Sequence, residues 1–473
     1  MKKSTFTKSI LACVIPAMFA GANVHASDKG SFIDAGKPQI ENRNTSLIIK
    51  FKDDLRIAGE LIKGAQAGKR MGERMSVALG QKVAHQRAMA VGGFHVYELS
   101  NSLNKGELAR AMATLKNDKN VESVTENIML QHMAAPNDTR YSDQWHYFEA
   151  TGGLNVESAW NKATGSGVTV AVLDTGYRPH ADLAGNIVGG YDFISSSSTA
   201  GDGNGRDSDA TDPGDFTGWF QCGIFPADSS WHGTHVAGTV AAVTNNNQGI
   251  AGVAYGAKVV PVRVLGKCGG TLADIADGIV WASGGSVSGV PANANPAQVI
   301  NMSLGGGAAC DASMQAAVNA ARSNGAVVIA AAGNSSADAS GFTPAGCNGV
   351  VTVAATNRSG GAASYTNFGS VVDVAAPGGQ QSSAGDSNGV LSTLNAGSTN
   401  PGADNYEYYQ GTSMAAPHVA GVAALMFEAD PTLTPDQVEA ILENTARSFP
   451  ATCNQCGSGI VDADAAVDSA LGN

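Results

Sequence analysis

Four side chains in this sequence pair a reactive type with a telling neighbourhood. Asp174 closes the apolar run GVTVAVLD, His232 opens HGTHVAGTVAA, Asn334 follows GAVVIAAAG, and Ser413 stands in GTSMAAPHVAG. A carboxylate at a strand end suits the task of orienting another group, and an imidazole just before a helix suits that of a general base. A serine at a helix start lies among free amides and the positive end of the helix dipole, which favour negative charge there. An amide at a strand rim can donate a hydrogen bond to a developing oxyanion. Each also has a purely structural reading, as a turn Asp or Asn or a helix N-cap. The set decides between the two.

Other chemistries fit less well. A carboxylate-pair mechanism needs two aspartates sharing a proton, and the VLDTG stretch around Asp174 occurs once. His232 and His235 are three apart, as zinc ligands on one helix face can be, but no acidic residue stands between them and no third ligand is evident.

The segments carrying these residues alternate. From Gly167 onward, GVTVAVLD, AKVVPVRVL, AQVINMSL, GAVVIAAAG and GVVTVAA read as buried strands, and TLADIADGIVWA, DASMQAAVNAARS and TPDQVEAILENTA as helices. Near-continuous Val, Ile and Ala implies strands covered on both faces, so an α/β doubly wound parallel sheet is expected, with functional groups beyond the carboxyl ends of its strands. Residues 44–132 read instead as a small α+β unit, with helices on one face of an antiparallel sheet and a boundary near Ala134. Between Ser195 and Gly223 runs a long acidic stretch without periodicity.

Asp, then His, then Ser on a parallel α/β sheet is the chain order of subtilisin, whereas an α/β-hydrolase runs Ser, Asp, His and needs a glycine where this chain has Ala415. VAVLDTG, HGTHVAG and GTSMAAPHVAG together resemble the subtilisin-like serine endopeptidases over about residues 140–467. The resemblance implies a nucleophile at Ser413, a general base at His232, an orienting carboxylate at Asp174 and an oxyanion donor at Asn334. It further implies substrate contacts at Gly269 and Gly270, at Ser303, Leu304 and Gly305, and at Ala331, Ala332 and Gly333, with an apolar or aromatic preference before the cut. Calcium is implied in VTNNNQGIAGVA, with Asp138, Asp182 and Asn246 as side-chain ligands and carbonyls near Val243, Gln248 and Ile250. A second calcium candidate is the acidic stretch, with Asp207, Asp209, Asp212 and Asp215. Residues 27–134 resemble the family's propeptide of ferredoxin-like α+β form, which assists folding and then inhibits, with self-cleavage near Ala134. A non-catalytic peptide binder has no need of all four site residues, and a serine esterase of another fold is disfavoured by residue order.

The 473 residues, 43% of them hydrophobic, give enough chain for two or three domains. Residues 1–26 read as a secretory signal cut after Ala26: a basic start, a short apolar core and small residues before the cut. No later segment is apolar and long enough to span a bilayer. An extracellular protein is expected, acting on polypeptides as a monomer. After the signal six cysteines remain, and an even number in an exported chain favours disulfides; sequence order suggests Cys222 with Cys268, Cys310 with Cys347 and Cys453 with Cys456. The formal charge of −12 is uneven: residues 27–134 carry +4 and residues 135–473 carry −19. So acidic a body argues against nucleic-acid or anionic-membrane partners.

Overall fold

The computed structural model describes residues 45–52, 56–57, 60–61, 64–127 and 135–472. The expected signal, its cut after Ala26 and the cleavage point near Ala134 lie outside the described residues. The chain divides into two compact units, residues 1–131 and 132–473.

In the first unit β1 (Ser46–Phe51), α1 (Gly64–Leu79), β2 (Val83–Ala88), β3 (Phe94–Leu99), α2 (Lys105–Lys116) and β4 (Val121–Glu126) follow one another. The sheet order is β2-β3-β1-β4, antiparallel throughout, as in ferredoxin-like folds. Alternate residues of β1, Leu47, Ile49 and Phe51, point to one face and pack with Met71 and Met75 of α1 and Leu115 of α2. An Asn104–Glu107 capping box fixes where α2 starts.

The second unit is built on a seven-stranded parallel sheet. Its strands are β5 (Thr169–Asp174), β6 (Tyr191–Asp192), β7 (Lys258–Arg263), β8 (Val299–Met302), β9 (Val327–Ala331), β10 (Val350–Thr356) and β11 (Val374–Pro377), in the order β11-β10-β9-β8-β5-β7-β6. Period-two alternation feeds two separate cores. Val170, Val172, Val327 and Ile329 face one side, with α3 (His232–Ala241) and α6 (Thr412–Ala429), while Ala171, Leu173, Val328 and Ala330 face the other, with α4 (Leu272–Ala282) and α5 (Ala312–Ser323). Apolar demand on both faces explains the strands' unbroken Val, Ile and Ala. The antiparallel hairpin β12 (Val390–Asn395) and β13 (Asp404–Tyr409) leads into α6, and α7 (Pro435–Thr445) and α8 (Ala463–Ala470) close the chain. All three expected disulfides are present: Cys222–Cys268, Cys310–Cys347 and Cys453–Cys456.

Three histidines with no solvent exposure tie α3 and α6 to their surroundings: His146, His235 and His418. His146 Nδ1 lies 2.7 Å from His418 Nε2, and His235 Nε2 is 3.1 Å from the carbonyls of Val390 and Glu407. Burial holds all three below the ordinary imidazole value, His418 at about 4 and His235 at about 3. With folded values depressed, the unfolded chain binds protons first, so stability present above about pH 6.5 is lost as pH falls toward 4. The urea-midpoint advantage of the wild type over His418→Gln should therefore shrink as pH falls across that window; a constant difference between the two proteins would contradict the assignment.

Candidate active site

Strand register brings the site residues level. Leu173 and Ala330 both flank Met302 in the sheet, so the next residues, Asp174, Ser303 and Ala331, reach the carboxyl edge side by side. His232 enters from the first turn of α3 and Ser413 from the first turn of α6. Trp231 makes the corner into α3 with φ of 47°, buried against the hairpin end through its indole bond to the Gly397 carbonyl.

Asp174 is fully buried, and its carboxylate oxygens lie 2.8 and 2.9 Å from His232 Nδ1. A carboxylate only accepts, so Nδ1 carries the proton and the neutral ring presents Nε2 as a base. Among the described residues Nε2 has no hydrogen-bond partner, and the ring keeps 22% exposure. Burial pulls the imidazole's pKa down, but the charge and hydrogen bond of Asp174, with Asp215 and Asp212 behind it, outweigh burial and leave it above the ordinary value.

Ser413 is held by a reciprocal exchange with Ser303. Its Oγ donates to the Ser303 carbonyl at 3.1 Å, and Ser303 Oγ donates back to the Ser413 carbonyl at 2.8 Å. Pro417 makes the second bond possible: it lies inside α6 four residues on, and without an N–H it leaves the Ser413 carbonyl free. Sequence reasoning put the helix start at Ser413 so that proline would fall in its first turn; the helix begins at Thr412, and the freed carbonyl has a side-chain partner instead. Asn301 Nδ2 supports Ser303 Oγ at 3.0 Å. In this arrangement the Ser413 hydroxyl faces Ser303 rather than the imidazole.

Asn334 is oriented by Thr412, whose N–H and hydroxyl both donate to its side-chain oxygen at 2.8 and 2.9 Å. The amide nitrogen is thereby fixed as the outward donor. The preceding Gly333 has φ of 108° and a would-be Cβ 2.3 Å from Asn367 Nδ2, so no larger residue fits without displacing that side chain.

Between these groups lies a cleft of about 740 Å³ bounded by Gly269 and Gly270 on one side, Ser303, Leu304 and Gly305 on the second and Ala331, Ala332 and Gly333 on the third. All eight expected contact positions thus line one cavity. Ile275, Met314 and Phe342 add apolar surface, and no charged side chain is among its lining residues.

The calcium candidates separate. Asp138 and Asp182 are both buried and meet through Asn246, whose N–H donates to Asp138 at 3.3 Å and whose Nδ2 donates to Asp182 at 2.6 Å. The backbone N–H of Val243 donates to the Asp182 carbonyl at 2.7 Å and that of Ile250 to the Asp182 carboxylate at 2.8 Å, while Asn246 Oδ1 accepts from Gln248 N at 2.8 Å. Burial raises both carboxyls, and Asp138 adds repulsion at Asp182. The acidic stretch, the second calcium candidate, behaves otherwise: Asp207, Asp209, Asp212 and Asp215 take separate hydrogen-bond partners. Among the described residues no three acidic, His or Cys side chains could share a metal. Asp207 and Asp209 cap local turns, Asp215 accepts from Ser230 N and Oγ, and Asp212 accepts from Thr175 Oγ1 and Gly214 N. Sequence reasoning missed these last two contacts, and missed Trp219, Phe220, Ile224 and Phe225, which stand exposed around Cys222. The WF and IF pairs flanking that cysteine in GWFQCGIFP were the available signal.

Residues 165–469 match the subtilase family, Peptidase_S8. The chain belongs to the subtilase family. It is 57% identical over 389 residues to an extracellular protease of Xanthomonas campestris pv. campestris, covering 81% of this chain and 65% of that protein. It is 42% identical over 478 residues to an extracellular basic protease of Dichelobacter nodosus, covering 98% and 77%. The chain thus spans just under two thirds of the Xanthomonas protein. A solved protease structure from Pseudoalteromonas arctica superposes with a TM-score of 0.71 at 66% identity, covering 71% of this chain and all of that one.

The Asp174–His232 contact makes a prediction independent of turnover. Titrated by NMR, the His232 ring should have a pKa above 6.5, and Asp174→Asn should bring it below, since burial then acts without its counterweight. An unchanged value in the variant would show that Asp174 does not govern the ring.

Proposed function

We propose that this chain is a secreted, calcium-stabilised serine endopeptidase of broad specificity, made as a self-processing precursor. The observation that carries the reading is the fully buried Asp174 bonded to His232 Nδ1, with Nε2 unpartnered and Ser413 beside an uncharged cleft.

In this reading the Ser413 hydroxyl turns from the Ser303 carbonyl toward Nε2 as substrate enters. His232 takes its proton, the oxygen attacks the scissile carbonyl, and His232 returns the proton to the leaving amine, giving an acyl-enzyme that water then hydrolyses. Asp174 holds the tautomer and stabilises the imidazolium. The oxyanion is met by Asn334 Nδ2 and by the Ser413 N–H, one of the first-turn amides of α6 that have no acceptor within the helix. The substrate backbone lies extended against Gly269 and Gly270, and the side chain before the cut enters between 303–305 and 331–333. With no charge to pair, that pocket favours large apolar or aromatic groups.

Asp138, Asp182, Asn246 and the carbonyls of Val243, Gln248 and Ile250 are the residues that would hold calcium, which asks for six to eight oxygens. Two buried carboxylates bridged by Asn246, with Asp138 adding repulsion at Asp182, fit a cation between them. The ion's contribution would be to the stability of loop 243–250. The first unit, with a core of its own, is proposed as the propeptide and intramolecular inhibitor, released by cleavage near Ala134. A slow-folding parallel sheet gives such a segment a purpose. The relatives named extracellular proteases favour export of this one.

A fluorophosphonate should label Ser413 in the wild type, and Ser413→Ala should abolish labelling and leave the precursor uncut; casein digestion by that variant would end the reading. Asn334→Ala should lower kcat by about 100- to 1000-fold with little change in KM. Chelation should lower the melting temperature of the purified protein, and calcium should restore it; an indifferent Tm would remove the metal from the account.

A further inference from the structure

Thr175, directly after Asp174, has hydrogen bonds at every polar atom. Its N–H donates to Asp174 Oδ1 at 2.8 Å, its Oγ1 accepts from Gly233 N at 3.1 Å, and its carbonyl accepts from Arg263 Nε at 3.2 Å. The hydroxyl has one proton to place. Gly233 N–H can only donate, so that proton must go elsewhere, and it goes to Asp212 Oδ2 at 2.8 Å. Asp212 is 1% exposed, and its other oxygen accepts from Gly214 N at 2.8 Å. The backbone of Asp212 is anchored as firmly: its N–H donates to the Tyr177 carbonyl at 2.9 Å and its carbonyl accepts from Arg178 Nη1 at 2.9 Å. The approach is close enough to require Gly176, with φ of 95° and a would-be Cβ 2.5 Å from the Ala210 carbonyl.

We propose that Asp212, brought in by the acidic stretch, is a positioning residue for the catalytic pair: through the Thr175 hydroxyl it sets the distance between Asp174 at the end of β5 and His232 at the start of α3. The stretch thereby becomes part of the machinery, acting on reacting groups it does not touch. Asp212 lines neither the substrate cleft nor the adjoining cavity beside His232. Its effect falls on turnover rather than binding. The claim rests on the peptidase reading above.

Charge adds a second handle. Burial pushes the Asp212 carboxyl up to about 6, so it is ionised in neutral and alkaline solution. The charged or titratable groups facing His232 are Asp174 from β5, Asp212 and Asp215 from the acidic stretch, and His235 from its own helix. An amide at 212 can still accept from Thr175 Oγ1 but then turns its NH2 toward the Gly214 N–H, so Asp212→Asn keeps the link to Thr175, loses the Gly214 bond and removes the charge. Asp212→Ala removes the link as well.

The test uses the full precursor and its matured form, with fluorophosphonate labelling of the wild type as the entry condition. If the wild type does not label, the peptidase reading fails and not this one. Given labelling, Asp212→Ala should lose on the order of tenfold in kcat with KM nearly unchanged, as expected when reacting groups are slightly misplaced. Thr175→Val should lose a similar factor, and the double variant no more than either alone, because both cut one linkage. Asp212→Asn should keep most of kcat while the acid limb of kcat/KM moves to lower pH. Should Asp212→Ala fail to mature, Thr175→Val decides in its place. Full kcat in Asp212→Ala or in Thr175→Val overturns the proposal.

Discussion

A carboxylate with no exposure to water stays in a protein only if something satisfies it, and the second unit is organised around satisfying Asp174. One partner is the Thr175 N–H, available because β5 ends there and the chain turns. The other is His232 Nδ1, delivered from the far side of a crossover of more than fifty residues. The arrangement works in both directions, since the aspartate that needs the imidazole also fixes its tautomer and outweighs the pKa loss that burial would impose. Removing either member leaves an unpaired buried polar group, so folding and chemistry depend on the same contact.

The parallel sheet supplies the rest by register. Because Asp174, Ser303 and Ala331 end their strands level with one another, the orienting acid, the hydroxyl's resting partner and one cleft wall fall on one line. Helix α6 then enters above that line with Thr412 and Ser413 in its first turn. Thr412 turns Asn334 outward and Ser303 parks Ser413, so the exposed Asn334 amide and the half-buried Ser413 hydroxyl are each held by a neighbouring side chain or carbonyl. Such preorganisation is what an oxyanion site requires.

Much of this was legible before any coordinates. GVTVAVLD, AQVINMSL and GAVVIAAAG read as strands because a sheet covered on both faces leaves no polar alternation; Asp174 and Asn334 stood at the ends of such runs and His232 and Ser413 at the starts of helical ones. The six cysteines paired in chain order because each bridge closes a local excursion. What the sequence did not reveal was three-dimensional. Four aspartates within nine residues read as one candidate ligand set, yet Asp207 and Asp209 accept from local turns while Asp212 and Asp215 reach to Thr175 and Ser230 beside His232. Nothing in the spacing of Asp212 and Thr175 announces a contact across thirty-seven positions. Arg263 was unread for the same reason: an arginine in a strand gives no sign that it will be buried with Asp192, Asp202 and the Thr175 carbonyl.

Pro417 carries a further consequence for how such a protein could be improved. In an ordinary helix an alanine there would close the missing rung and be favoured by helix propensity. Here the closed rung would compete with the Ser303 hydroxyl for the one carbonyl both could use, loosening the resting place of Ser413. A library sorted for heat resistance alone would reward that exchange, so at this position robustness and turnover pull a breeder of variants in opposite directions.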